Sequence, residues 1–132
     1  MPQHGIIGAG TDIIEIARIK QAYERIGDRF LEKVFTPGER SFCDERRDRF
    51  SCYAARFAAK EAVLKALGTG LAGCSFTDVE VRRPDGGRPE VTLHGAAAEI
   101  AKEKGIASIL ISMSHSRENA VAFAIATGEE VF

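Results

Sequence analysis

The sequence predicts an α+β fold in which a long helix packs across a mostly antiparallel sheet. Hydrophobic residues recur at helical spacing through most of the first half of the chain, whereas the second half has the alternating pattern of strands. Helices and strands are therefore partly segregated, which favours α+β over a doubly wound sheet. With 132 residues, 45% of them hydrophobic, the chain has the size of one domain, residues 1–132.

The first half is predicted to begin with a strand and to continue with helices. Residues 6–10 are predicted to form a short buried strand, because two isoleucines lead into Gly-Ala-Gly. Isoleucines and aromatic residues at helical spacing predict a helix over residues 14–26. Thr36, Pro37 and Glu39 have the order of a capping box with proline at the first helical position, so a short helix is expected to begin there.

A long helix is predicted next, ending at Gly68 and Gly70. Projected on a helix, one carboxylate, Glu61, falls on an apolar stripe that otherwise consists of Phe50, Tyr53, Ala54, Phe57 and Leu64. A buried carboxylate must find a cation or hydrogen-bond donors, because burying it unpaired is very costly. A divalent metal would satisfy that need. The alternative is a surface Glu61 paired with Lys65 one turn later.

The second half is predicted to be mostly strands. Residues 79–81 and 90–93 flank a turn rich in proline, aspartate and glycine, which is typical of a hairpin. Residues 95–105 predict a short helix closed by a glycine, and residues 108–114 and 120–126 predict two further strands. Alanine occupies every second position of the last strand, so one of its faces is small. A helix or another subunit could pack closely there.

Composition excludes several classes of function. The net charge is −1, with 18 basic and 19 acidic residues, so a general nucleic-acid binder is not expected. The three cysteines form no disulfide framework or zinc motif, which favours reduced thiols and a cytoplasmic location. The N-terminal stretch has the features of neither a signal peptide nor a membrane span. The dinucleotide fingerprint, the Walker A sequence and the nucleophile elbow are all missing.

Asp12 and Glu61 are the candidates for chemistry at a metal. Asp12 is predicted to lie at the end of a buried strand, where it is either the N-cap of the following helix or a second carboxylate ligand. Two carboxylates together with waters and phosphate oxygens suit Mg²⁺, which rarely has an all-protein cage. The sequence alone leaves open whether the two carboxylates meet.

Two loops are further candidates. Gly68-Thr69-Gly70 is either a helix C-cap and turn or a loop whose backbone N–H groups approach a phosphate, with Lys65 adding positive charge. Ser114-His115-Ser116 ends a predicted strand, and it is either a hairpin turn or a set of polar side chains that points into a cleft.

Arg18, Arg25 and Arg29 are predicted to share one helix face, at spacings of seven and four residues. One interpretation is a solvated face, since Glu24 and Asp28 lie nearby. The other is a docking surface for an acidic partner.

Four stretches in order carry a family resemblance: GAGTDIIEIARI, FTPGE, RFAAKEAVLKALGTG and SHSRENAVAFAI. Together they resemble the bacterial holo-acyl-carrier-protein synthase family, the small phosphopantetheinyl transferases, over nearly the whole chain. The resemblance implies transfer of the 4′-phosphopantetheine arm of coenzyme A to a serine of apo acyl carrier protein, with adenosine 3′,5′-bisphosphate as the other product. It also implies dependence on Mg²⁺, with Mn²⁺ as a substitute, and a homotrimer with each active site at a subunit boundary.

The resemblance also implies roles for individual residues. The metal ligands of the family fall on Asp12 and Glu61, and Lys65 would stabilise or protonate the departing phosphate. The residues expected to hold the coenzyme A phosphates are Arg56, Gly68, Thr69, Gly70, Ser114, His115 and Ser116. The helix that docks the carrier would begin near Arg18. The general base is left open between Asp12, Glu61 and a metal-bound water.

Two rival functions use the same residues. In the first, the protein is a metal-dependent phosphate or nucleotide sensor that performs no transfer. In the second, Glu61 pairs with Lys65, Asp12 caps a helix, and the chain is an inert assembly subunit. Metal-dependent stabilisation by coenzyme A would argue against the second rival, because ligands that bind only the native state raise stability.

Overall fold

The structure is a computed structural model that describes residues 5–128. It has the predicted α+β architecture. In chain order the elements are β1 (Ile6–Glu15), α1 (Ile16–Ile26), α2 (Asp28–Val34), α3 (Pro37–Asp44), α4 (Arg49–Leu67), β2 (Val79–Arg82), β3 (Glu90–Leu93), α5 (Gly95–Glu103), β4 (Ser108–His115) and β5 (Asn119–Thr127). Among these residues no helix is long and apolar enough to cross a membrane.

An antiparallel three-stranded sheet in the order β1-β5-β4 forms the base on which α4 packs. β2 and β3 form the predicted hairpin as a separate antiparallel pair. The small face of β5 is turned towards α4, and its four alanines, Ala120, Ala122, Ala124 and Ala126, are buried. The element that packs closely on the alanine face is therefore the long helix.

Gly8 and Gly10 let β1 approach α4 more closely than any larger residue would allow. A Cβ atom on Gly10 would lie 2.0 Å from the carbonyl oxygen of Ala62, and one on Gly8 would lie 2.1 Å from that of Ala66. Both contacts are with helix backbone, which cannot move aside as a side chain can. The two glycines therefore set the distance between the first strand and the long helix.

The prediction for the first strand was wrong in its length and burial. β1 continues to Glu15, its side chains alternate between exposed and half-buried positions, and α1 begins only at Ile16. β1 is longer than predicted because residues 12–14 pair with residues 120–122 of β5, which lie far away along the chain. This pairing overrides the helical spacing of the isoleucines. Asp12 is consequently a strand residue and not a helix cap, and Glu15 occupies the N-cap position of α1.

The expected single arginine face is also incorrect. Gly27, with φ of 86°, separates α1 from α2, so Arg29 lies on a different helix from Arg18 and Arg25. All three arginines are exposed. The spacing argument failed because Gly27, at a positive φ, ends α1 before Arg29 is reached.

The capping box of α3 has the predicted form, and it has an additional role. The Glu39 carboxylate accepts from the N–H of Thr36 at 2.8 Å and from that of Val81 at 2.7 Å. It also pairs with the ammonium group of Lys60 at 2.8 Å, and both side chains are fully buried. A buried ion pair of this kind needs all its hydrogen bonds. Here it joins α3, α4 and β2 at one point.

Candidate active site

Asp12, Glu61 and Lys65 come together where β1 crosses α4. Alternate residues of a strand share a face, so Asp12 follows Gly10 on the face that packs against the helix. The Lys65 ammonium donates to a carboxylate oxygen of Asp12 at 3.2 Å and to the carbonyl oxygen of Thr11 at 2.8 Å. The close contacts of Gly8 and Gly10 with α4 therefore place the Asp12 carboxylate next to Lys65.

Glu61 does not lie on a buried stripe. α4 is buried on almost every side. Its more accessible face contains Phe57, Glu61 and Lys65, which follow one another at intervals of four residues. Glu61 is half-buried on this face, beside β1. The sequence argument identified an unusual carboxylate but assigned it to the wrong side of the helix, because nearly all of the surrounding positions are apolar or small.

The electrostatics of Glu61 connect it to Asp12. Burial raises the pKa of the Glu61 carboxyl, the negative charge of Asp12 raises it further, and the charge of Lys65 lowers it. Among residues 5–128, the ion pair of Lys65 is with Asp12, and no ion pair between Glu61 and Lys65 is found. The alternative prediction, a surface ion pair between Glu61 and Lys65, is therefore wrong for this structure. Lys65 instead pairs with Asp12 and affects Glu61 only through its charge.

A two-carboxylate arrangement needs further ligands to hold a metal ion. In the described part of the chain, no group of three or more His, Cys, Asp and Glu side chains could hold one. Asp12 and Glu61 suit an ion that takes one or two carboxylates and completes its shell with water and substrate oxygens, as Mg²⁺ does.

The Gly68-Thr69-Gly70 segment caps α4. Gly68 is left-handed with φ of 82°, and its N–H donates to the carbonyls of Leu64 at 3.1 Å and Lys65 at 3.0 Å. The N–H groups of Thr69 and Gly70 make long bonds of 3.4 Å to the same Leu64 carbonyl. The Lys104 ammonium donates to the carbonyl of Leu67. Because the bonds of Thr69 and Gly70 are long, they are the weakest of the cap.

Arg56 lies in the wall of a cavity of about 950 Å³. Its guanidinium lies over the Phe42 ring, 4.4 Å from the centroid, and donates to the sulfur of Cys52 at 3.2 Å. The side chain is only 4% exposed, and its buried Nε has no hydrogen-bond partner. An arginine buried with an unsatisfied donor is costly unless a ligand approaches it.

Ser114 and His115 line the same cavity at the end of β4, whereas Ser116 does not. The Ser116 hydroxyl accepts from the backbone N–H of Asn119 at 3.2 Å, so this serine serves the turn between β4 and β5. Sequence reasoning missed Arg83 and Arg88 of the β2–β3 hairpin, which also line the cavity. Their signal was the basic character of the hairpin, but nothing local showed which way the hairpin would fold.

Within one chain, the Asp12–Glu61–Lys65 group lies apart from the cavity that contains Arg56. Asp12, Glu61 and Lys65 are not among the described residues that line the basic cavity. The carboxylates and the cavity that contains Arg56 are therefore separate features of the described surface.

The sequence matches a family profile described as the 4′-phosphopantetheinyl transferase superfamily over residues 8–125. The chain belongs to this superfamily. It is 54% identical over 123 residues to a holo-[acyl-carrier-protein] synthase of Desulforudis audaxviator, an alignment that covers 93% of this chain and 94% of the relative.

Solved structures of the superfamily have the same fold. The holo-[acyl-carrier-protein] synthase of Neisseria meningitidis superposes with a TM-score of 0.85 at 33% identity, covering 92% of this chain and 98% of that one. The Helicobacter pylori synthase, solved in complex with coenzyme A, superposes with a TM-score of 0.80 at 33% identity, covering 90% of this chain and 99% of that one. The likeness therefore extends over nearly the full length of each chain.

Proposed function

We propose that this member of the superfamily transfers the 4′-phosphopantetheine arm of coenzyme A to a serine of apo acyl carrier protein and releases adenosine 3′,5′-bisphosphate. Relatives similar over more than nine-tenths of the chain are synthases of this kind. The observation that carries the proposal is the meeting of Asp12, Glu61 and Lys65 at the β1–α4 contact. One domain, residues 1–132, would hold all of these side chains.

Asp12 and Glu61 would hold Mg²⁺, with Mn²⁺ as a substitute. The fit rests on the raised pKa of Glu61, since a cation would relieve the repulsion between the two carboxylates. When bound, the ion would supply positive charge to the pyrophosphate of coenzyme A. The Lys65 ammonium would stabilise the departing phosphate or donate a proton to it. The carrier hydroxyl attacks in line, and the chain contributes mainly positioning and electrostatics.

The basic cavity would bind the nucleotide end of coenzyme A. Arg56 has an unsatisfied buried donor there, and Ser114 and His115 add polar groups. Arginine suits phosphate because its planar fork can bind two oxygens. Thr69 and Gly70 would contribute backbone N–H groups once their long bonds to Leu64 give way to a phosphate oxygen.

A homotrimer with each active site at a subunit boundary would bring the two carboxylates and the arginine-lined cavity together. The sheet face opposite the alanines exposes Ile13 by 67%, Phe123 by 57% and Leu110 by 40%. These side chains share one face, because Ile13 pairs with Val121, and Ile125 pairs with Leu110. Exposed apolar patches of this kind mark interaction surfaces. An arginine-lined cavity of one subunit would then lie against the carboxylates of its neighbour.

The surface of α1 and α2 that is proposed to bind the acyl carrier protein would combine positive charge with an apolar contact. Arg18 and Arg25 on α1 and Arg29 on α2 are exposed, and Ile26 between them is 53% exposed. An acidic carrier protein would be attracted to this surface and held by Ile26. Reduced cysteines fit a cytoplasmic enzyme, and no role with nucleic acid or membranes is proposed.

Incubation with apo acyl carrier protein, coenzyme A and Mg²⁺ tests the function directly. The carrier should gain the mass of one phosphopantetheine arm, and a chelator should prevent the gain. A carrier whose acceptor serine is replaced by alanine is the control. A carrier of unchanged mass, together with Mg²⁺-dependent binding of coenzyme A, would instead identify a non-catalytic phosphate or nucleotide sensor.

A further inference from the structure

Phe42 of α3 contacts two arginines that come from different segments of the chain. Arg46 lies in the turn between α3 and α4, and Arg56 lies within α4. The guanidinium carbon of each arginine lies over the Phe42 ring, 4.4 Å from the ring centroid, so the two carbons are within twice that distance of each other. Contacts of this length between a guanidinium and an aromatic ring are cation–π contacts. One aromatic side chain therefore holds two positive groups.

Acidic side chains do not neutralise these two arginines. Among residues 5–128, the ion pairs include neither Arg46 nor Arg56. The Nη1 group of Arg56 donates to the sulfur of Cys52, which is a weak acceptor, and its buried Nε has no partner. Two like charges at this separation repel each other, and the negative face of the ring offsets that repulsion only in part. An anion would complete the cluster.

The cluster borders open space. Phe42, Arg46 and Arg56 all line the cavity of about 950 Å³, and Phe42 and Arg56 also line a smaller cavity of about 240 Å³. The position of the Arg56 guanidinium therefore depends on its contacts with the Phe42 ring and the Cys52 sulfur. Arg46 is exposed, and a long exposed side chain without a partner would sample many rotamers. The ring restricts both guanidiniums at the wall of the larger cavity.

We propose that Phe42 is a positioning residue that holds Arg46 and Arg56 in the geometry that binds a phosphate group of coenzyme A in this cavity. The inference rests on the proposed function, because it takes the phosphate from that substrate. An arginine that is fixed before binding loses less side-chain entropy when the phosphate arrives, which raises affinity without any contact between ring and phosphate. Phe42 thus acts through the arginines and takes no part in the transfer step itself.

Calorimetric titration of the full chain with adenosine 3′,5′-bisphosphate tests the proposal without any transfer. Phe42→Leu removes the ring and keeps an apolar side chain. It should raise the Kd by about tenfold, because both cation–π contacts are lost. Phe42→Tyr keeps an aromatic ring and should bind within about threefold of the wild type. Circular dichroism checks folding, and Phe42→Met replaces the leucine variant if that one is misfolded.

Phe30→Leu is the matched control. Phe30 is half-buried and packs against the same hydrophobic cluster as Phe42. In the described part of the chain, no arginine or lysine lies over its ring. The control removes a ring of the same size from the same cluster, and it should bind the bisphosphate as the wild type does.

A second measurement separates positioning from a general effect on packing. In an Arg46→Gln background, Phe42→Leu should raise the Kd by only about threefold, because one of the two contacts of the ring is already absent. A purely structural role of the ring would give the same fold-change in both backgrounds. In the carrier mass-shift assay, Phe42→Leu should raise the KM for coenzyme A and leave the KM for the carrier unchanged.

Equal Kd values for Phe42→Leu and the wild type would overturn the proposal. It would also be overturned by a Phe42→Tyr protein that binds as weakly as Phe42→Leu, or by equal fold-changes in the two backgrounds. The proposed function would survive these results if the wild type modifies the carrier. A wild type that modifies the carrier without binding the bisphosphate would overturn the role of the cavity together with this inference, and one that does neither would overturn the proposed function as well.

Discussion

At Glu61 two effects raise the pKa of one carboxyl group: burial is the larger, and the charge of Asp12 adds to it. Among residues 5–128, Lys65 is the cation that lowers this pKa, and it forms its ion pair with Asp12. In the folded protein the negative charge of Asp12 and Glu61 is therefore only partly neutralised by Lys65. Such a site is suited to bind a cation, and it is the feature on which the proposed chemistry depends.

Replacing Glu61 by glutamine removes one proposed ligand while preserving the size of the side chain. We expect a loss of turnover of at least about 100-fold, because changes even to the partners of metal ligands cost 10–100-fold. The carrier mass-shift rate measures it, with far-ultraviolet circular dichroism as the check of folding. Near-normal turnover in saturating Mg²⁺ would remove Glu61 from the metal site.

The same variant should change how stability depends on pH. The pKa of Glu61 is raised on folding, so its contribution to stability is fully present below the unfolded pKa and is lost as the pH rises through the folded pKa. Without metal, Glu61→Gln should be more stable than the wild type near about pH 7, and the difference should shrink towards about pH 4. Urea unfolding measures it. A difference that is constant with pH would show that Glu61 is not perturbed.

At the scale of elements, the contact of β1 with α4 decides the geometry of the site. Gly8 and Gly10 meet helix backbone on the inner face of the strand, and Asp12 follows on that face. The strand itself is held by its pairing with β5. The site therefore depends on two backbone segments being close, and not on a single hydrogen bond.

Gly10→Ala should separate these two segments. The added methyl would lie 2.0 Å from the carbonyl oxygen of Ala62, so the strand must move. We expect a loss of about 1–3 kcal/mol, as for other overpacked sites, together with a larger loss of turnover. Thermal denaturation and the carrier assay measure the two effects.

Gly38→Ala is the matched control for that substitution. Its nearest neighbour would be a carboxylate oxygen of Glu80 at 3.1 Å, which is the end of a flexible side chain. It should change stability little and leave turnover unchanged. An equal loss of turnover in both variants would mean that the strand–helix distance does not control the site.

The elements that sequence reasoning predicted well are those with local causes. The capping box at Thr36, the β2–β3 hairpin and the glycine end of α4 each depend on a few neighbouring residues, and each forms as predicted. β1 was misjudged because its length depends on β5, more than a hundred residues away, as the Thr11 hydroxyl bond to the Ala122 carbonyl illustrates. Arg83 and Arg88 were missed for the same reason, because tertiary packing brings the hairpin to the cavity.

The candidate site was predictable in part. The two carboxylates and Lys65 were identified from their motifs, and the structure brings them together. The arginine face was not predictable from spacing, since the break at Gly27 divides it between α1 and α2. The division of the site residues between two parts of the surface was also not predictable, because it depends on the order β1-β5-β4 in the sheet.

At the scale of the whole molecule, the chain exposes an apolar sheet face, and its two carboxylates lie apart from the arginine-lined cavity. The exposed side chains Ile13, Phe123 and Leu110 lie on the side of the sheet away from α4. A trimer built on this face would bury them and would bring carboxylates and arginines from different subunits together. Assembly and activity should therefore be lost together.

Phe123→Asp tests this connection. A charge in the middle of the face should convert the proposed trimer to monomers, because burying an unpaired carboxylate is very costly. Turnover should fall with it. Analytical ultracentrifugation and the carrier assay measure the two properties.

Ile26→Asp is the matched control, since this isoleucine is 53% exposed on α1, near Arg25. It should leave the proposed trimer intact and raise the KM for the carrier. A monomeric Phe123→Asp protein with full turnover would show that one chain suffices for activity.

The row of alanines and the two glycines have a consequence for the choice of ion. At Gly8 and Gly10 the main chain of β1 lies against the main chain of α4, so backbone atoms set the separation of strand and helix there. The same contacts fix how far apart the backbones that carry Asp12 and Glu61 lie. We therefore expect the proposed site to prefer Mg²⁺ to Ca²⁺, because Ca²⁺ takes longer bonds and more ligands than two carboxylates on closely packed elements would supply.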